Sequence, residues 1–168
     1  SAISIIGVTD GIVNFITKTG TQVYRGTLNA TAANATIEMT KLCSISKSKV
    51  YIKGEYLDLS GYTNQGMGYL NGMLYVPIWA DSAQPNRSVI MVFNMDGLIE
   101  GSTIYPSDAI VFRVTSSAYP ALCEIESCDV TGGKLYFNTN RRKTASDTNH
   151  DAVSEMKDYT FVKLTEPA

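Results

Sequence analysis

A chain of 168 residues, of which 44% are hydrophobic and 18% are charged, is long enough to bury the core of one domain, and this composition excludes a disordered protein. The net charge of −2 argues against electrostatic binding of nucleic acid, which requires a concentration of basic residues. No apolar run reaches the roughly 18 residues of a membrane-spanning helix. We therefore expect one folded domain over residues 1–168, with no nucleic-acid partner and no membrane span.

Three two-residue turns, Asp10-Gly11, Asn71-Gly72 and Gly132-Gly133, recur at an interval of 61 residues. Each turn lies between two strand-like segments. The tight turns of β-hairpins require positive φ, which glycine and asparagine adopt most easily. The spacing therefore predicts three hairpins that belong to one repeated unit.

A third strand is predicted after each hairpin, and the loop before it varies greatly in length. The predicted third strands are residues 21–28, 88–95 and 159–164. Within the longest loop, residues 150–159 favour a short helix. A fourth strand is predicted at residues 109–116, with its equivalent in the first unit at residues 36–45 or 49–56. The pattern indicates an all-β fold of about three four-stranded antiparallel units.

The strand at residues 72–79, GMLYVPIW, has large apolar side chains at both alternating sets of positions. A strand that is apolar on both faces is covered on both faces. We therefore expect the sheets of neighbouring units to stack against each other.

Four strands in a unit of about sixty residues resemble a blade of a β-propeller. The hairpin sequences NQGMGYLNGMLYV and EIESCDVTGGKLYF resemble blades of divergent bacterial or phage propellers. The resemblance implies a partial propeller, because closed propellers have about four to eight blades. Three arrangements remain open: a fragment of a larger propeller, half of a six-bladed ring made of two copies, or units stacked as a β-sandwich or solenoid.

The three cysteines do not suggest a metal site. Cys123 and Cys128 are five residues apart on one predicted strand, so we expect them on opposite faces and as buried free thiols, like Cys43. There is no zinc-type Cys/His spacing, EF-hand loop or nucleotide-binding fingerprint. The sequence thus predicts no metal and no cofactor.

The repeat also predicts where a ligand would bind. Ser4, Gln65 and Glu126 occupy equivalent positions at the start of the three hairpins, so they should surround one end of the assembly. The variable loops lie at the same end, and the propeller resemblance implies that ligands meet this end. The candidate ligand-binding residues are Gln65, Trp79, Asp81, Arg87, Glu126, Asn138, Arg141, Arg142 and His150.

Glu124 and Glu126 are the candidates for catalysis. They alternate with Cys128 along one predicted strand, which would place two carboxylates on one face at roughly 7 Å. Glycosidases use two carboxylates at about 5–9.5 Å, and such a pair also binds cations. Neutralisation of both carboxylates by Arg141 or Arg142 is the alternative.

The leading functional hypothesis is a non-catalytic recognition or adhesion module that binds a glycan or a protein surface. Polar and aromatic loops on a rigid β scaffold suit such ligands. Alternatives are a glycoside hydrolase or lyase that uses the paired carboxylates, and a structural assembly component. We expect an extracellular, cell-surface or virion protein that self-associates or binds a completing partner chain.

Overall fold

The computed structural model describes residues 1–47, 50–52 and 54–156, which form β-strands and one short helix. In chain order the elements are β1 (Ala2–Thr9), β2 (Ile12–Thr19), β3 (Gln22–Asn29), β4 (Ile37–Ile45), β5 (Val50–Ile52), β6 (Glu55–Leu57), β7 (Thr63–Asn64), β8 (Gly68–Leu70), β9 (Met73–Trp79), β10 (Ser88–Asn94), β11 (Ser102–Ile104), β12 (Asp108–Val111), α1 (Arg113–Ala118), β13 (Leu122–Thr131), β14 (Lys134–Arg142) and β15 (Ala152–Met156).

The strands form three larger sheets that correspond to the three sequence units. The first sheet has the order β1-β2-β3-β4-β11, and the third has the order β13-β14-β15. The middle sheet has the order β12-β10-β9-β7, with β8 also paired to β9. A small β5-β6 hairpin is separate. The predicted all-β class is confirmed, and none of these sheets closes into a barrel.

The three predicted hairpins have the same turn geometry. The φ angles are 51° and 77° in Asp10-Gly11, 48° and 81° in Asn71-Gly72, and 57° and 75° in Gly132-Gly133. Positive φ at both central residues defines the type I′ turn, whose twist matches that of the flanking strands. Each turn joins strands with a two-residue loop in the same register, so the repeat is real at the level of local structure.

A register irregularity in the first strand of each unit is a feature that the sequence did not reveal. The register shifts by one residue between Ile5 and Gly7 in β1, and between Ile125 and Ser127 in β13. In the middle sheet the first strand is divided into β7 and β8. Such a bulge moves the following side chains to the other face. Cys123 and Cys128 consequently lie on the same, buried face of β13, and the expectation of opposite faces is wrong.

The three sheets stack in layers, with the middle sheet between the other two. Leu74, Val76 and Ile78 of β9 pack in one apolar cluster with side chains of the first sheet. On the opposite face of the same strand, Tyr75 packs in a second cluster with Leu135 and other residues of the third sheet. The prediction that residues 72–79 are covered on both faces is confirmed.

Two predicted elements differ from the structure. Residues 152–156 form β15, not a helix, because the open edge of β14 provides backbone partners from Leu135 to Thr139. Residues 109–116 begin as strand β12 but continue as α1, whose last carbonyl groups accept hydrogen bonds from Arg87. The predicted strand at residues 159–164 lies outside the described residues.

The short strand β11 joins two units. It lies between the third and fourth strands of the second unit, yet it pairs in parallel with β4 of the first sheet. Flanking hydrogen bonds extend this pairing, from Gly101 N to Leu42 O at 2.7 Å and from Ser46 N to Ile104 O at 2.9 Å. The first and second units are therefore linked through the backbone as well as by packing.

In the part of the chain that the structure describes, no helix combines the length and the apolar character needed to cross a membrane.

Candidate functional site

Polar side chains from all three units meet at one end of the stacked sheets, where each hairpin begins its first strand and ends its second. Lys18 Nζ donates to the backbone oxygen of Gln65 at 3.2 Å, and Gln65 Nε2 donates to Glu124 Oε1 at 2.9 Å. Glu126 Oε1 accepts a hydrogen bond from Asn140 Nδ2 at 2.5 Å. We call these five residues, Lys18, Gln65, Glu124, Glu126 and Asn140, the rim. Of the three residues expected to surround this end, Gln65 and Glu126 belong to the rim, whereas Ser4 is buried and lines a groove between the first strands of the units.

The two rim carboxylates have different surroundings. Burial raises the pKa of Glu124, the negative charge of Glu126 raises it further, the hydrogen bond from Gln65 opposes the shift, and Asp81 adds to it. Glu126 is the bulged residue of β13 and stands outside the ladder with β14. Because of this bulge, Glu124 and Cys128 do not share a face, in contrast to the strict alternation expected from the sequence.

Both carboxylates are held by side-chain amides. Gln65 reaches Glu124 from the middle sheet, whereas Asn140 reaches Glu126 from the neighbouring strand of the same sheet. No arginine forms an ion pair with Glu124 or Glu126 among the described residues, so the alternative interpretation, neutralisation by Arg141 or Arg142, is not seen. The arrangement leaves partly buried, oriented hydrogen-bond acceptors at the rim.

Lys18 is a rim residue that the sequence analysis missed. Its side chain is 2% exposed, and no carboxylate lies within ion-pair distance of it among the described residues. Burial lowers the pKa of Lys18, and the nearby charge of Lys47 lowers it further. The repeat could have placed Lys18 at this end of the sheets, since Lys18 occupies in the first unit the position that Trp79 occupies in the second, 61 residues later.

A second polar group surrounds Tyr119 at the same end of the third sheet. The Arg141 guanidinium lies 4.9 Å from the centre of the Tyr119 ring, and the rings of Tyr119 and His150 are 6.2 Å apart. Arg141 Nε donates to His150 O at 3.0 Å, and Arg142 Nε donates to Asn149 Oδ1 at 2.5 Å. These contacts fasten the long loop to the end of β14. Both arginines and His150 are among the residues predicted from the sequence, whereas Tyr119 is not.

Two further candidates, Arg87 and Trp79, have positions that limit their contact with a ligand. Arg87 is 1% exposed, and it bonds to Ser116, Tyr119 and Asp81. The Trp79 indole Nε1 is buried and makes no hydrogen bond among the described residues. The Arg87 guanidinium therefore supports the loop structure, in contrast to the ligand contact that we expected, and Trp79 can offer a ligand only its ring.

Asn138 and Asp81 are not members of the amide–carboxylate pairs. Asn138 Oδ1 accepts hydrogen bonds from the backbone nitrogen and Oγ of Ser127, at 2.8 and 2.6 Å, and so supports the bulge of β13. The side chain of Asp81 is 69% exposed and is 3.4 Å from Arg87. Asp81 remains accessible to a ligand, whereas the Asn138 oxygen is already engaged.

The first strands of the three units also enclose a groove of about 390 Å³. Residues 4–6, 69–71 and 129–131 line it, so it extends toward the hairpin turns and away from the rim loops. No local sequence pattern predicts this groove. Its position between three equivalent strands follows from the repeat.

The cysteine thiols do not offer nucleophiles here. Cys43, Cys123 and Cys128 are free and buried, and burial raises the pKa of each thiol. A thiol with a raised pKa is largely protonated at neutral pH and is a poor nucleophile. Among the described residues, no group of three or more His, Cys, Asp or Glu side chains is placed to hold a metal ion.

Comparison with models of protein families, with curated proteins and with solved structures finds no match to this chain.

Proposed function

We propose that this protein is a non-catalytic recognition module that binds a glycan at the rim. The observation that carries the proposal is the pair of amide–carboxylate contacts, Gln65–Glu124 and Asn140–Glu126, at one partly buried edge. Sugar hydroxyls donate and accept hydrogen bonds, and oriented carboxylates and amides satisfy both roles. The rings of Trp79 and Tyr119 add aromatic surface at the same end of the sheets.

The proposal includes the arrangement of the three sheets. We propose that the three sheets are blades of a partial β-propeller, because three hairpins of one geometry stack in sequence and their first strands enclose a common groove. A rim built from equivalent positions of successive blades would then be the ligand-binding end. Ligands of this class are displayed on cell surfaces and virions, so we propose an extracellular, cell-surface or virion location.

Binding to a glycan panel tests the proposed function. We expect saturable binding of the wild-type chain and about tenfold weaker binding by Glu126→Gln, because a charged acceptor is replaced by a neutral amide. Glu38→Gln, at an exposed glutamate of β4, is the matched control and should bind as the wild type does. Binding that is equal in all three proteins would reject the rim as the site, and no binding to any glycan would reject the ligand class.

Glycoside hydrolysis is the second candidate, and the raised pKa of Glu124 favours it. A carboxyl group whose pKa is raised, next to a second carboxylate, is the arrangement that glycosidases use. Turnover of aryl glycosides by the wild type, abolished in Glu124→Gln, would support an enzyme. Turnover that persists in Glu124→Gln would exclude Glu124 as its acid.

A further inference from the structure

The outward face of the first sheet is largely apolar. Across β1, β2, β3 and β4, the paired residues form three rows, and the rows are Val8-Val13-Leu28-Ile37, Ile5-Phe15-Gly26-Met39 and Ile3-Thr17-Tyr24-Lys41. Residues paired directly across antiparallel strands lie on the same face. We call these twelve residues the apolar face.

Solvent reaches much of this face. Five of its side chains are 56–64% exposed, and these are Ile3, Ile5, Val8, Ile37 and Met39. The ring of Phe15 lies at the centre of this face and is buried, because it packs against Gly26. A Cβ added at Gly26 would be 2.2 Å from the ring. Lys41 is the one formally charged residue of the twelve. A monomer rarely exposes a contiguous apolar patch of this kind without a function.

The repeat shows what kind of structure covers such a face. The residues equivalent to Val13 and Phe15 are Leu74 and Val76 in the second unit, and the first sheet covers them. In the third unit the equivalents are Leu135 and Phe137, and the middle sheet covers them. In both cases the cover is another sheet, and only the first unit has no described sheet on this side.

The outward face of the third sheet is a poor match for the apolar face. In one row of this face, Tyr136 of β14 lies between two acidic residues, Asp129 of β13 and Glu155 of β15. Burial of Asp129 and the Lys134–Glu155 ion pair against isoleucine and methionine would cost free energy without compensating partners. A head-to-tail ring of two copies requires that contact. The apolar face of a second copy has matching chemistry.

We infer that two copies of this chain pair through their apolar faces, as a symmetric dimer in which two sheets pack face to face. If each of the five exposed side chains buries about 100 Å², one copy contributes about 500 Å² and the dimer about 1,000 Å². Specific interfaces begin near this size. Twofold pairing of one self-complementary patch is the commonest way to form a homodimer.

Sedimentation equilibrium over a series of concentrations tests the inference. We expect the wild-type chain to approach twice its own mass, and Ile5→Glu and Met39→Glu each to weaken association by about a hundredfold or more, because each would bury an unpaired charge. Both positions are exposed in the single chain, so circular dichroism should show folded variants. Val153→Glu, on the outward face of the third sheet and 77% exposed, is the matched control and should leave the dimer unchanged.

Several results would overturn the inference. One is a wild-type chain that stays monomeric at every concentration. Another is a dimer that dissociates in Val153→Glu, because that result would indicate head-to-tail contact through the third sheet. A mass that rises without limit would also do so. The test is separate from that of the rim, because monomeric Met39→Glu, which is not in the groove between the first strands, should bind glycan as the wild type does.

Discussion

Lys18 places an amino group in the boundary between the first and middle sheets. The buried ammonium group donates a hydrogen bond to the carbonyl oxygen of Gln65. Among the described residues, no carboxylate lies within ion-pair distance of it. An ammonium group in these surroundings loses hydration that one carbonyl does not replace. The lowered pKa of Lys18 expresses this cost, and it couples protonation of the residue to folding.

Replacement of this lysine should change how stability depends on pH. Below the lowered pKa, Lys18 is charged in both the folded and unfolded chains, and the full cost of its burial is present. As the pH rises through that pKa toward the ordinary value of 10.5, the folded chain releases its proton first, so the cost disappears. The free energy of unfolding of the wild type should therefore rise over this range relative to that of Lys18→Met.

Urea unfolding at several alkaline pH values measures this difference. Lys143→Met, at an exposed lysine of the loop after β14, is the control, and its difference from the wild type should stay constant. A constant difference for Lys18→Met as well would show that burial of Lys18 carries no electrostatic cost.

Some of these residues were predictable and others were not. The turn glycines were found because positive φ is a strong local requirement, which Asn71-Gly72 and Gly132-Gly133 reveal directly. The bulge at Glu126 was not predicted, because nothing in the local sequence distinguishes Glu126 from an ordinary strand residue. That one-residue shift reversed the expected face of Cys128. Lys18 was overlooked because a lysine on a strand is normally a solvent-facing residue.

At the scale of elements, α1 depends on a buried arginine from another part of the chain. Arg87 Nη2 donates to Tyr119 O at 2.7 Å, at the end of the helix, and Nε donates to Ser116 Oγ at 3.2 Å. Phe112 has no side-chain capping bond, and α1 has no acidic residue in its first turn or basic residue in its last. A six-residue helix without these local supports depends on tertiary contacts.

We expect Arg87→Met to lower the free energy of unfolding by about 3 kcal/mol, since several buried carbonyl and hydroxyl groups would lose their donor. Arg113→Met is the matched control. Arg113 is 45% exposed and pairs with Glu55, and loss of such a surface pair should cost less than about 1 kcal/mol. Denaturant titration of both variants measures the difference. Equal small effects would show that Arg87 does not hold α1 in place.

The elements that the sequence predicted correctly are those with local signals. The three hairpins and the third strands β3 and β10 combine turn residues with apolar runs, and both signals act over a few positions. Residues 152–156 and 113–116 were misassigned because β15 is selected by the open edge of β14, and α1 by Arg87. Those partners are distant in sequence, so local patterns do not contain them.

For the whole molecule, the layered arrangement predicts a gradient of protection. Strands β9 and β10 lie at the centre of the middle sheet and are covered on both faces, whereas β1 pairs with one strand among the described residues. Local opening costs least where few buried contacts are lost. Amide hydrogen exchange should be slowest in β9 and β10 and faster in β1. Equal protection of β1 and β9 would show that the sheets open as one unit.

The parallel strand β11 has a consequence for synthesis on the ribosome. The nascent chain emerges from its amino end, and four strands of the first sheet can pair once residue 45 is free. The outer side of β4 then stays without its β11 partner until residues 102–104 have left the exit tunnel. An unsatisfied strand edge of this kind is a site of mispairing between neighbouring polypeptides. A first unit produced without the second would lack β11, so the outer edge of β4 would stay unpaired.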